Sequence, residues 1–485
     1  MKVKLSNIQA NILRSHGRNF SRFLFLKFFD SADPKDIQAA VHEIYFGEVS
    51  NIKIINNCRD QLQESKKYNL AERFSTLSSQ KSIVLNMHLS FNGLRKIERT
   101  NWNSNQDRFL RKGMKSGDSI RKLTDLPIRK WEANYQRTID AMVSIASNTE
   151  ENLELFIEHA RGKLAKIGKV LFVEKGKVLR WGKDAIEPFG FKDNISNPIF
   201  FKKEVTPDKV TYTPIDKNFD IALDERGGSF LVFRKLEQDT VAFQQKVKAI
   251  SKRLKISMAY AEAQILGRFK DGTPLALYNE PSPPGLKQEE INDIIDFDQN
   301  IDTGYRDDPE GLKCPLHAHI RKTNPREDRS KIWASTYAQN NSSLPTPRHM
   351  PNAFGRIVRR GTSYEVEGES VGLLFMCYQA SISHQFALIQ QHWCNSTILK
   401  KLVPANDDLK AIEEKRTVGL DPIAGQYYTA NANFLNKWQA RWDWKKNKMR
   451  PALVDFKDMV TFRGGEFFYT PCIADLQTLN PADPV

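Results

Sequence analysis

A chain of 485 residues is long enough for two or three ordinary domains, each with its own core. Hydrophobic residues make up 40% and charged residues 27%, which excludes a disordered chain and a membrane-embedded one. The formal charge of +15 would suit a polyanionic partner, but the densest basic stretch, Arg95 to Arg137, is interleaved with Glu98, Asp107, Asp118 and Asp125, so solvated faces are expected rather than a nucleic-acid site.

In chain order, Met1 to Leu5 leads into patterned sequence without an apolar leader core, and no run of about 18 apolar residues follows. The expectation is a cytoplasmic protein with no membrane partner. Phe23 to Phe29 reads as a buried strand. Asp33 then caps a helix with Pro34 at its first position and Ile37, Ala40, Val41 and Ile44 along one face. Ser82 to Leu89 is a second strand, Asn152 to Lys166 a helix, and Lys169 to Trp181 a hairpin turning at Lys175-Gly176. A second half opens at Gly228 with the strand Ser229 to Arg234 and a helix from about Gln238 that aligns Val247, Ile250 and Leu254. Val371 to Tyr378 is a further apolar strand, followed by a helix with Ile382, Phe386, Ile389 and Trp393 on one side. Val460 to Tyr469 is a last strand, bulged at Arg463-Gly464-Gly465. Long polar loops span Asp271 to Arg329 and Ala334 to Asn352, and loops of that length usually shape a site. Strands alternating with helices in two halves fit either a doubly wound sheet or a pair of α+β sandwiches. The glycine signatures of phosphate binding, GxGxxG and GxxxxGK[ST], are missing.

The five cysteines, Cys58, Cys314, Cys377, Cys394 and Cys472, form no CxxC pair and read as reduced, mostly buried thiols. The chain has nine histidines. No HExxH or paired-histidine zinc motif occurs, and His16, His42, His88, His159, His384 and His392 read as structural or surface residues. Cys314 to Arg326 stands apart: His317 and His319 flank one alanine, and Arg321, Lys322 and Arg326 follow. That pattern suggests a histidine ligand beside cations able to hold carboxylates or phosphates. Glu187 to Pro198 sets Asp193 in an aromatic-flanked turn, where a carboxylate against an apolar wall is suited to moving protons. Gly355 to Thr362 carries Arg356, Arg359 and Arg360 on a strand-like run; a buried arginine opposite a carboxylate suits a polarised oxygen ligand.

Taken together these stretches resemble the dye-decolorizing peroxidase family, almost end to end. Asn7 to Arg18, NIQANILRSHGR, is similar to the family's opening segment, and Gly228 to Asp239 to its strand entering the second domain. Gly267-Arg268, Asp296-Phe297-Asp298 and Cys314 to Arg326 resemble the approach to its iron ligand; Gly372 to Asn395 and Thr461 to Pro471 resemble its closing elements.

The resemblance implies an α+β fold of two ferredoxin-like domains of the dimeric α+β barrel type, antiparallel sheets with helices on one face. Residues 1–222 would carry the distal aspartate, and residues 223–485 would bind one haem b. It implies His319 as the proximal iron ligand, although His317 stands where the family usually has a small residue. It implies Asp193 and Arg359 as the catalytic pair and Arg326 near a haem propionate. Asn194 replaces the glycine of the family's GxxDG motif, a substitution the turn tolerates because asparagine accepts left-handed backbone. The usual Pro-Tyr-Gly after the distal arginine is Ser363-Tyr364-Glu365 here. The implied partners are hydrogen peroxide and an organic electron donor, with surface tryptophans or tyrosines, Trp181, Trp393 and Tyr378 among them, as candidate relays. A homo-oligomer is compatible with this reading. The alternative is a haem-binding or haem-iron-handling protein of the same fold that does not turn over peroxide.

Overall fold

The computed structural model describes residues 3–49, 51–66, 81–102, 107–201, 216–286, 308, 311–324, 355–368, 370–405, 408–417, 419–426, 456 and 459–480, together with four short strands between 436 and 454. The first half runs β1 (Phe20–Phe28), α1 (Pro34–Phe46), β2 (Ser82–Leu89), β3 (Ala141–Ser147), α2 (Glu150–Leu164) and β4 (Gly168–Lys177). Asp33 caps α1 by accepting from the Lys35 N–H at 2.8 Å, with Pro34 in the first turn, as the sequence predicts. The second half runs β5 (Ser229–Gln238), α3 (Thr240–Leu254), α4 (Met258–Leu266), α5 (His319–Thr323), β6 (Thr362–Val366), β7 (Ser370–Gln379), α6 (Phe386–Leu388) and β8 (Val460–Thr470). The helix expected from Ile382 to Trp393 is instead the single turn of α6 passing into a π-helical turn, Ile389–Cys394.

These eight strands lie in one sheet in the order β6-β7-β5-β8-β2-β3-β1-β4, antiparallel throughout. Each half repeats one pattern: its own second, third, first and fourth strands lie side by side, the ferredoxin-like order. The halves meet where Tyr469 of β8 pairs with Leu89 of β2. At the far edges β4 and β6 face each other so closely that a Cβ on Gly176 would overlap Thr362 Cγ2, which curls the sheet round on itself. That approach explains why the hairpin expected at Lys175-Gly176 is not there. β4 runs on past Lys175-Gly176, which pair with Arg22 and Ser21 of β1, glycine is needed for the seam rather than a turn, and the hairpin comes later, Leu179–Trp181 against Asp184–Ile186 around left-handed Gly182. The bulge in β8 is present, between Phe462 and Gly464, where a side chain would strike Tyr135.

Strand parity places the site. In β5, Phe233 points into the curled sheet, where its ring meets Phe23 and Phe25 of β1 at 5.5 and 5.1 Å. The two halves therefore share one main core, because the inner faces of both halves of the sheet pack on each other. Arg234, Leu236 and Gln238, on the opposite face of β5, turn outward and line a cavity. All five cysteines are buried, and none forms a disulfide. Among the described residues no helix is long and apolar enough to cross a membrane.

Candidate active site

The cavity is walled by Leu236 of β5, Leu373 and Phe375 of β7, Val460 and Phe462 of β8, Phe386, Ile389, Leu266 and Ile320. His319, Asp193 and Arg359, from three distant parts of the sequence, all line it. His317 is buried at 2% exposure and does not contribute to the cavity wall, whereas His319 does. Arg326 lies outside the described residues.

His319 opens α5, a helix of five residues held from both sides. Arg321 donates to Cys314 O at 2.6 Å and Asp308 O at 2.7 Å, and Lys322 donates to Ser396 O at 2.6 Å. Burial brings the Lys322 ammonium down to about 8, against the opposing charge of Asp421. The Nδ1 of His319 faces both oxygens of Asp421, at 3.1 and 2.9 Å. Asp421 is fully buried and also accepts from the Ile423 and Ala424 N–H groups at 2.8 and 2.9 Å. Burial alone would push its carboxyl up; the pairing with His319 and the hydrogen bonds from those two N–H groups hold it below the usual range. An imidazole whose Nδ1–H is fixed by a carboxylate presents Nε2 as the free ligand nitrogen. Asp421 escaped sequence reasoning: nothing in Gly419-Leu420-Asp421-Pro422 marks it, and its partner lies 102 residues away.

Asp193 follows a tight turn in which Gly190 is left-handed and the Asp193 N–H donates to Ala185 O at 2.8 Å. Asn194 stands at φ 61°, the left-handed value a glycine would take, and its N–H donates to Asp193 Oδ1 at 2.7 Å. Arg359 sits on the two-residue strand Val358–Arg359 beside β7, opposite Cys377. Its backbone N–H donates to Asn197 Oδ1 at 3.0 Å, and its guanidinium to Ile195 O. Burial lowers the Arg359 guanidinium; the Asp193 charge opposes that, and Arg268 adds to it. Arg268, also on the wall, is itself buried and anchored to Gly272 O at 2.6 Å and Ser196 Oγ at 3.1 Å. A carboxylate and two guanidiniums thus gather on the loop 193–197, away from the His319–Asp421 pair in sequence but on one cavity. Arg234, a further wall residue, is neutralised by buried Asp125 at 3.0 Å and stacks on Phe462 at 3.8 Å.

The family model described as the DyP dimeric alpha+beta barrel domain matches residues 7–178, and the one described as Dyp-type peroxidase, C-terminal, matches residues 339–403. A multifunctional dye peroxidase of Amycolatopsis is 28% identical, over 98% of this chain and 96% of its own. A dye-decolorizing peroxidase of Auricularia auricula-judae is 26% identical, over 83% of this chain and 76% of its own. The crystal structure of a DyP-type peroxidase from Anabaena superposes with a TM-score of 0.74 at 28% identity, covering 98% of this chain and 94% of that one.

Proposed function

The chain belongs to the dye-decolorizing peroxidase family, and from that premise we propose that it is a haem b peroxidase that reduces hydrogen peroxide and oxidises organic donors. The observation that carries the reading is that His319, backed by Asp421, shares one largely apolar cavity with Asp193 and Arg359. The residues present suit such a group. Aliphatic and aromatic side chains offer flat apolar walls, and Arg268 and Arg359 bring cationic charge suited to carboxylates. Among the described residues no three His, Cys, Asp or Glu side chains converge, so a lone imidazole suits a metal that arrives with its other ligands.

Haem, when bound, supplies an iron that passes electrons from organic donors to peroxide. His319 would hold that iron through Nε2, with the ring turned and kept in the right tautomer by Asp421. Arg326 is the residue proposed for a propionate. The Asp193 carboxylate would take a proton from one peroxide oxygen and return it to the other as the O–O bond opens. The Arg359 guanidinium would stand where negative charge gathers on the departing oxygen, within walls that keep bulk water from screening it.

The test is an absorption spectrum of purified protein supplied with haem, before and after peroxide. His319→Ala should abolish or greatly weaken the Soret band and His317→Ala should leave it. The reverse result would sink the ligand assignment, and a haem-loaded protein inert to peroxide would favour haem handling.

A further inference from the structure

Two polar side chains of the cavity wall, Glu187 and Gln238, have no part in the chemistry above. The Glu187 carboxylate fills the inside of the turn that leads to Asp193. Its Oε2 accepts from the Phe189 N–H at 3.0 Å and its Oε1 from the Phe191 N–H at 3.0 Å. Its backbone closes the same turn, with Glu187 N–H donating to Phe191 O at 2.9 Å and Gly190 N–H to Glu187 O at 2.8 Å. Gln238, at the end of β5, donates from Nε2 to Glu187 Oε2 at 2.8 Å. The other end of that amide, Oε1, is buried and finds no hydrogen-bond partner among the described residues. A buried amide oxygen left unmet is costly, and turning the amide over would set it against the carboxylate. Gln238 is therefore committed to Glu187. Two residues past the last N–H that Glu187 holds comes Asp193, whose own chain is pinned on both sides, by Lys192 N–H to Lys270 O and Asp193 N–H to Ala185 O, each at 2.8 Å.

We propose that Glu187, tied to β5 by Gln238, is the positioning residue that fixes the Asp193 carboxylate opposite Arg359. Burial is the main reason the Glu187 carboxyl is raised, its three hydrogen bonds oppose that, and the Asp193 charge adds to it, as expected for two carboxylates on one cavity. The inference rests on the reading of Asp193 as the group that moves the proton.

Cyanide binding to the haem-loaded protein tests it apart from turnover, since hydrogen cyanide must give up its proton to a base as it binds. Asp193→Asn should slow cyanide association and remove the acid limb of its pH profile. Glu187→Gln keeps the size of the side chain but sets an amide N–H2 against a backbone donor. It should slow association by about 10- to 100-fold and shift that limb with the Soret band intact. In the Asp193→Asn background it should add nothing, because it acts through Asp193. A loss of packing alone would lower the melting temperature without moving the limb. Equal slowing in both backgrounds, or wild-type association in Glu187→Gln, overturns the positioning role. Should Asp193→Asn itself bind cyanide at the wild-type rate, the base reading fails first and the inference falls with it. Gln238→Leu covers the case in which Glu187→Gln does not fold. It should give a smaller slowing in the same direction, again absent without Asp193, and an unchanged rate there is equally fatal.

Discussion

Replacing Asp421 by asparagine separates the role of its charge from the role of its shape. The carboxylate serves three donors: the Nδ1–H of His319 and the N–H groups of Ile423 and Ala424, which both reach Oδ1. Asparagine can keep its oxygen on those two backbone groups, so the loop 419–426 should stay folded. Its N–H2 then faces His319 Nδ1, and the imidazole must shift its proton to Nε2 to accept from it. The nitrogen proposed to bind iron would then carry a hydrogen and be closed to the metal. Losing the carboxylate partner of a metal-binding histidine costs about 10- to 100-fold in affinity, or about 1.4–2.8 kcal/mol. The assay is a haem titration of Asp421→Asn against the unaltered protein, with melting temperature recorded alongside. The expected outcome is weaker haem binding and an altered Soret band at an unchanged melting temperature. Asp421→Ala should lose stability as well, since each backbone N–H left without an acceptor costs roughly 1–3 kcal/mol. If Asp421→Asn binds haem as tightly and with the same spectrum, the tautomer argument is wrong.

Elsewhere on the cavity wall, Arg359→Leu should slow the reaction with peroxide about 100- to 1,000-fold, roughly 3–4 kcal/mol, and Asp193→Asn should also slow it with haem binding intact. Rapid-mixing spectroscopy decides, and wild-type rates in both variants would remove these residues from the chemistry. His88 lies fully buried between Thr470 Oγ1 and Ser144 Oγ, at 2.8 and 3.0 Å, and burial lowers it from 6.5 to about 3. Between those values the unfolded chain takes up a proton that the folded one refuses, so stability should fall by about 1.4 kcal/mol per pH unit as pH drops through that window; denaturant melts of His88→Asn should lack that share of the slope. Gly176→Ala should destabilise by roughly 1–3 kcal/mol through overlap with Thr362 Cγ2, and Thr362→Ser should restore most of the loss; a single variant as stable as the parent would show that the β4–β6 seam gives way freely.

Much of the local structure was legible in the sequence because its causes are local. Asp33 and Pro34 mark a helix start through one hydrogen bond and one fixed dihedral. The apolar runs of β1, β2 and β7 read as strands because both faces are covered, and Gly464 reads as a bulge. His319, Asp193 and Arg359 each stood in a recognisable stretch, and the structure lines one cavity with all three. Other features arise only when distant segments meet. Gly176 looked like a turn because glycine usually marks one; here it leaves room for Thr362 across the seam. Tyr469 pairing with Leu89 joins the halves, and Phe233 among Phe23 and Phe25 merges their cores, through register that no single strand encodes. Asp421 and Gln238 carry no signal in their own neighbourhoods, since an aspartate before a proline and a glutamine ending a strand are common. Each gains its meaning from a partner that tertiary packing alone delivers, His319 for one and Glu187 for the other. Dihedral preferences and side-chain periodicity act over a few residues, whereas a buried hydrogen bond is specified by the fold that excludes water from both its ends.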